Sequence, residues 1–157
     1  MASTPARREE SLPAAYPEFL ADVKSRIVAA QTRAVLAANQ ALIELYWEIG
    51  NEILDREERE GWGSRVIDRL SADLRRAFPD ITGFSRSNLK YMRAFAEAWP
   101  QDDRRTAIGQ QPVGQLPWGH NILLLTKLKS PEDRLWYATQ AIEQGWSRAV
   151  LDAQVAH

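Results

Sequence analysis

The sequence predicts an all-α fold built from a long N-terminal helix, a helix-turn-helix middle unit and a second small helical lobe. Three observations predict it. Apolar residues recur at helical spacing across some 35 residues from Phe19 to Leu54, serines stand where helix caps are needed, and no stretch shows the alternation of a half-buried strand.

Residues 1–16 are small, charged and proline-punctuated, which reads as a flexible leader. Pro17 suits a first helical turn, and a long helix is expected over residues 17–60, with Gly50-Asn51 the natural place for a kink or break, although a single glycine can also simply be tolerated there. A helix of this length cannot be covered by a small domain, so part of it is expected to pack on a partner. Gly61-Trp62-Gly63 ends it, and Ser64 is read as the N-cap of a helix bearing Val66, Ile67, Leu70 and Leu74. Phe78 to Phe84 is a turn, Ser85 caps a helix with Leu89, Met92 and Phe95 on its inner side, and Trp99-Pro100 closes it, so residues 61–100 form the middle unit. Residues 101–117 lack apolar periodicity and read as a mobile loop separating two lobes. The C-terminal lobe spans 118–157: a helix from about His120 to Leu128, a second with Ser130 as N-cap, Pro131 at N1 and Gly145 as its stop, and a last one capped near Ser147.

At 157 residues the chain is long enough to bury a core without a staple. It has no cysteine, which removes disulfides, thiolate catalysis and cysteine-held metals, and agrees with a reducing cytoplasm. No secretion signal or membrane-spanning stretch is read, and the expected location is cytoplasmic. The net charge of -1 gives no overall pull on polyanions, so a nucleic-acid site requires local segregation of charge. Such segregation exists: residues 51–60 hold five acids against two arginines, whereas residues 61–99 hold seven bases against four acids.

Catalytic patterns are absent. There is no glycine-rich phosphate loop, no Gly-x-Ser-x-Gly and no His-Glu-x-x-His, and two histidines, His120 and His157, do not assemble a metal site. No cofactor, metal or catalytic residue is therefore expected. Asp102-Asp103 and Glu132-Asp133 read as loop acids and first-turn helix acids. The positive candidate is the helix after Ser85, where Arg86, Lys90 and Arg93 at i, i+4 and i+7 form a cationic stripe, with Asn88 near its start. Arginine and lysine suit phosphates or guanine, asparagine can bond adenine in a bidentate manner, and Arg65 and Arg69 can assist at the backbone. The same stripe also fits a solvated helix face, and the seven-residue connector is longer than that of an ordinary helix-turn-helix. The tryptophans read mainly as packing residues, and Trp118-Gly119-His120 as a turn that the histidine orders.

Taken together, Tyr46-Trp47-x-Ile49-Gly50, Trp62-Gly63-x-x-Val66-Ile67-x-x-Leu70-Ser71-x-Asp73-Leu74, Phe78-Pro79, Gly83-Phe84-Ser85-x-x-Asn88-Leu89-x-x-Met92-Arg93-x-Phe95, Leu116-Pro117-Trp118-Gly119-His120 and Trp146-Ser147-Arg148-x-x-Leu151 resemble the N-terminal domain of the YhcG-like bacterial proteins. The resemblance covers residues 17 to 157. It implies a helical, winged-helix-like module that precedes a C-terminal nuclease domain of the PD-(D/E)XK type and serves recognition or assembly in DNA processing or defence. It does not carry over an active site, because Pro79-Asp80 is followed by no Glu-x-Lys or Asp-x-Lys. The nuclease centre would lie in the C-terminal domain.

The functional expectation is a non-catalytic DNA-binding domain using Arg86, Asn88, Lys90, Arg93, Arg65 and Arg69. Its alternative is an oligomerisation or protein-interaction module, with homo-oligomers formed through the long N-terminal helix.

Overall fold

A computed structural model describes residues 13–100 and 108–156, and among these it holds six α-helices and no strand: α1 Tyr16–Glu60, α2 Ser64–Ala77, α3 Arg86–Ala98, α4 Trp118–Lys127, α5 Pro131–Gln144 and α6 Arg148–Val155. Most of the expected leader and residues 101–107 of the expected loop lie outside the described residues. The chain divides into two compact units, residues 1–37 and 38–157. In the first, the described residues are exposed except half-buried Val23, and Phe19, Ile27, Val28 and Val35 are more than half exposed.

The second unit holds two apolar clusters. One joins Ile43 of α1 and Phe95 of α3 to Ile108, Val113 and Leu116, to Leu123 and Leu124 of α4, to Ala138 and Ala141 of α5 and to Leu151 of α6. The other joins Tyr46 and Ile53 of α1, Ile67 of α2, Phe84, and Leu89 and Met92 of α3. Of the segment expected to be a loop, the described residues 108–117 contribute Ile108, Val113 and Leu116 to the first cluster. Residues Ile108–Gln110 and Pro112–Gln115 are short 3₁₀ turns whose Ile108 and Val113 are buried, and Asn39 Nδ2 and Asn121 Nδ2 both donate to the Leu116 carbonyl, at 2.9 and 3.5 Å. Turns this short carry no apolar period, so only tertiary contact reveals their burial.

Gly50 is tolerated inside the long helix rather than breaking it. α1 runs through it unbroken to Glu60, and Gly50 is buried. A Cβ placed there would overlap the Met92 carbonyl oxygen and stand 2.9 Å from Ala96 Cβ. The missing side chain lets the backbone of α3 lie against α1, which explains a helix-weakening residue inside a helix. Trp47 Nε1 fastens the same pair by donating to the Trp99 carbonyl at 2.6 Å, at the C-terminal end of α3.

Cap chemistry follows the sequence closely. Ser85, Ser130 and Ser147 each accept the N–H three residues on, Pro131 opens α5, and Gly145 closes it in the left-handed region at φ 67°. Ser64 differs: Gly63 occupies the cap position without a side-chain bond, and Ser64 is the first helical residue of α2. Arg134 supplies a cap the sequence did not announce, its guanidinium donating to the Leu124, Leu125 and Leu128 carbonyls that end α4. Burial lowers its pKa from the usual arginine value, though the group remains cationic.

Gly50→Ala tests the α1–α3 approach. Over-packing against an immobile carbonyl is expected to cost about 1–3 kcal/mol or more in urea unfolding. Helix propensity alone predicts a gain of up to about 1 kcal/mol from the same change, so the sign of the shift decides.

Candidate nucleic-acid interface

The connector between α2 and α3 is held by polar contacts that fix where α3 begins. Phe84 is buried, and the buried Ser71 hydroxyl donates to its carbonyl at 2.7 Å. Gly83 turns the chain at φ 114°, a conformation that favours glycine, and its carbonyl accepts from Asn88 Nδ2 at 2.6 Å. Asn88 then spends its other amide atom, since Trp118 Nε1 donates to its Oδ1 at 2.6 Å. Donor and acceptor partners on either side determine the orientation of that amide. Trp118 stands edge-on to Tyr46 and Phe95, with ring centroids 4.9 and 5.3 Å away, so α4 is tied to the start of α3. His120 is buried and its Nε2 lies 2.8 Å from the Trp146 carbonyl, an ordering role for the Trp118-Gly119-His120 turn.

Tyr46 completes this cluster beneath the connector. Burial pushes its phenol above the ordinary 10.0, and its hydrogen bond with Asn88 opposes part of that rise.

The expected site residues divide into two groups. Arg93 is half-buried, and its guanidinium grips Glu57 of α1 with Nε at 2.8 and 2.9 Å from the two carboxylate oxygens and a further contact from Nη2 at 2.8 Å. A weaker contact reaches Glu97 at 3.7 Å. Asn88 and Arg93 are thus engaged within the fold. Arg86 and Lys90 lie on the exposed side of α3, Arg86 only 3.6 Å from exposed Asp68 and Lys90 without a partner among the described residues. On α2, Arg65 is exposed and likewise without a described partner, whereas Arg69 pairs with Asp73 at 3.0 Å on the surface. Sequence reasoning did not single out Ser71, Tyr46 or Glu57 as the groups that set α3 in place. Their partners are 13, 42 and 36 residues away in the chain, beyond the reach of helical spacing.

Ser71, Gly83, Asn88, Arg93 and Trp118 fall on the motifs quoted above, and the DUF1016 N-terminal domain family matches residues 22–157. The chain belongs to this family. It is 26% identical, over 94% of its length, to a protein of Escherichia coli (strain K12) named "Putative nuclease YhcG", and the matched stretch is 46% of that protein. The chain therefore spans about half the length of the relative it matches. No solved structure matches it.

The DUF1016 domain carries a second surface feature, an apolar groove of about 740 Å³ between α1, α2 and the connector, with Leu45, Ile49, Leu70, Leu74, Phe78 and Ile81 among its walls. Leu45, Phe78 and Ile81 are 44%, 46% and 51% exposed, which makes the groove an unusual apolar opening on a charged domain. Glu52, Arg56 and Trp62 stand at its edge, with Arg56 between Glu52 and Glu60 at 3.0 and 3.1 Å and over the Trp62 ring. Among the described residues no group of histidine or acidic side chains could hold a metal ion, and no helix is long and apolar enough to cross a membrane.

The Tyr46 cluster makes a pH prediction. Because the folded-state pKa is raised, the cluster's stabilisation is complete below pH 10 and is lost as pH climbs from there through the folded value. Tyr46→Phe is expected to reduce the alkaline fall in stability, read by urea unfolding between about pH 9 and 11. An alkaline slope identical to that of the parent chain would contradict the assignment.

Proposed function

We propose that this chain is a non-catalytic DNA-binding domain of a nuclease, with α2 and α3 forming a helix-turn-helix and α3 presented to the duplex. The observation that carries the reading is the outer side of α3, where Arg86 and Lys90 are exposed beside the helix's N-terminal end, with Arg65 and Arg69 exposed on α2. Cations beside the positive end of a helix dipole favour phosphate contact. The surface carboxylates at Asp68 and Asp73 are weak competitors, since exposed ion pairs are worth about 0–1 kcal/mol. Asn88 and Arg93, first expected among the contacts, serve this reading by holding α3 in position. The winged-helix-like form has no strand to build a wing among the described residues, so the reading rests on the two helices. The nuclease-named relative supports a C-terminal catalytic partner domain in the full-length protein, and the cytoplasm is its expected place.

Electrophoretic shift on duplex DNA at several salt concentrations tests this. Binding through about four cations is expected to give a log–log salt slope of roughly -3 to -4. Arg65→Ala with Arg86→Ala and Lys90→Ala is expected to flatten that slope and weaken binding at least about tenfold at low salt without lowering helix content. Failure to bind any duplex at low salt, or equal binding by the triple variant, would sink the proposal.

A second reading has its own observation. The exposed apolar residues Phe19, Ile27, Val28 and Val35 of α1 are costly to leave in water and support self-association through this helix. Light scattering at high micromolar concentration is expected to return a multiple of the 17.8 kDa chain mass, and a strict monomer would remove the reading.

A further inference from the structure

The connector that sets α3 in place also shapes a recess of about 480 Å³ between the end of α2 and the start of α3. It shares Phe78, Ile81 and Phe84 with the apolar groove, while Arg75, Thr82 and Ser85 line the recess and not the groove. The two openings differ in charge. Glu52 and Arg56 at the edge of the groove are bonded to each other, whereas the recess has one cation and no carboxylate among its lining residues. That cation, Arg75, is exposed and has no partner among the described residues, since Arg76 is the neighbour that reaches Asp73. Thr82 is exposed and likewise unbonded.

The aromatic wall of the recess is set before any ligand arrives. Phe78 follows α2 with its N–H bonded to the Leu74 carbonyl at 2.8 Å, and its ring, 46% exposed, stands 6.4 Å from the ring of buried Phe84. The Phe84 carbonyl is held by Ser71 and the Gly83 carbonyl by Asn88, so the exposed ring is backed by fixed groups. A presented aromatic ring with an uncommitted guanidinium beside it is the pairing that holds an unpaired nucleotide. The ring stacks on the base, the cation takes the phosphate, and hydroxyls such as those of Thr82 and Ser85 meet polar edges. An apolar hollow with a few polar groups is also the general form of a small-ligand site.

Position narrows the ligand further. Ser85 lines the recess and Arg86, the next residue, is one of the exposed cations proposed to meet duplex phosphate. Within a duplex the base faces are covered by their neighbours and only edges are open in the grooves. The recess is therefore supplied only where a base stands outside the stack.

We infer that the recess takes an unstacked nucleobase, with Phe78 against its face and Arg75 on the adjoining phosphate, so that the domain prefers duplex DNA with a single-stranded extension to blunt duplex. The inference rests on the duplex reading and specifies the form of DNA.

Fluorescence anisotropy on the full chain tests it with a blunt duplex, the same duplex bearing a short oligothymidine extension, and the extension strand alone. The extended duplex is expected to bind about fivefold or more tighter than the blunt one, the gain that one stacked base supplies. Phe78→Ala is expected to abolish the preference while leaving blunt-duplex affinity and helix content unchanged. Phe78→Leu, which keeps apolar bulk for folding, is expected to lose it as well, and Phe78→Trp to retain it. Arg75→Ala is expected to lower the log–log salt slope by about 1 on the extended duplex alone. With 5-iodouracil at the first unpaired position, ultraviolet crosslinking is expected at Phe78, mapped by peptide mass. Equal affinity for the two duplex forms, or a preference that survives Phe78→Leu, overturns the inference and leaves the duplex reading standing. An extension strand that binds alone as tightly as the extended duplex also overturns it. Failure to bind any of the three overturns both.

Discussion

The fold of residues 38–157 depends on how closely α3 lies against α1. Gly50 permits that approach by presenting no side chain to the Met92 carbonyl, and Ile43, Tyr46 and Ile53 on the same helix supply the apolar area that it buries. Phe95, Leu89 and Met92 are fully buried as a result, and one side of α3 is fixed as interior. Core packing at this density leaves little latitude for a different rotation of α3 about its axis. The rotation in turn dictates which cations face outward.

Two polar contacts reinforce that setting. The Glu57–Arg93 pair is bidentate and shielded, a geometry that fixes orientation more firmly than a surface pair does. The Asn88 amide, held between the Gly83 carbonyl and the Trp118 indole, links the connector to α4. Both side chains looked like ligand-facing groups by spacing alone. Within the fold they act as fasteners, and they confine the proposed DNA contacts to Arg86 and Lys90 at the start of α3 and to Arg65 and Arg69 on α2.

What the sequence disclosed was local. Caps at Ser85, Ser130 and Ser147 and the stop at Gly145 rest on chemistry within three or four residues, and helical periodicity marked the inner sides of α2 and α3. What it concealed was non-local. Gly50 carries the same local signal whether it breaks a helix or admits a neighbour, and only the position of Met92 separates these readings. Ile108, Val113 and Leu116 sit among glycine, glutamine and proline, so their entry into the core left no periodic trace. Arg93 could not be told from a ligand-binding arginine without knowing that Glu57 lies opposite. The resemblance of dispersed motifs, by contrast, did identify the family, because the motifs preserve order along the chain even where their contacts are hidden.

The central claim is that one side of α3 is locked into the interior and the other is presented to a duplex. Titrating ¹⁵N-labelled protein with short duplex DNA and following amide and arginine side-chain resonances tests both halves together. The account predicts salt-sensitive shifts at Arg65, Arg69, Arg86, Ser87 and Lys90, with Leu89, Met92 and the Arg93 guanidinium unmoved. Shifts concentrated on residues 51–60, or on Arg93 released from Glu57, would contradict it.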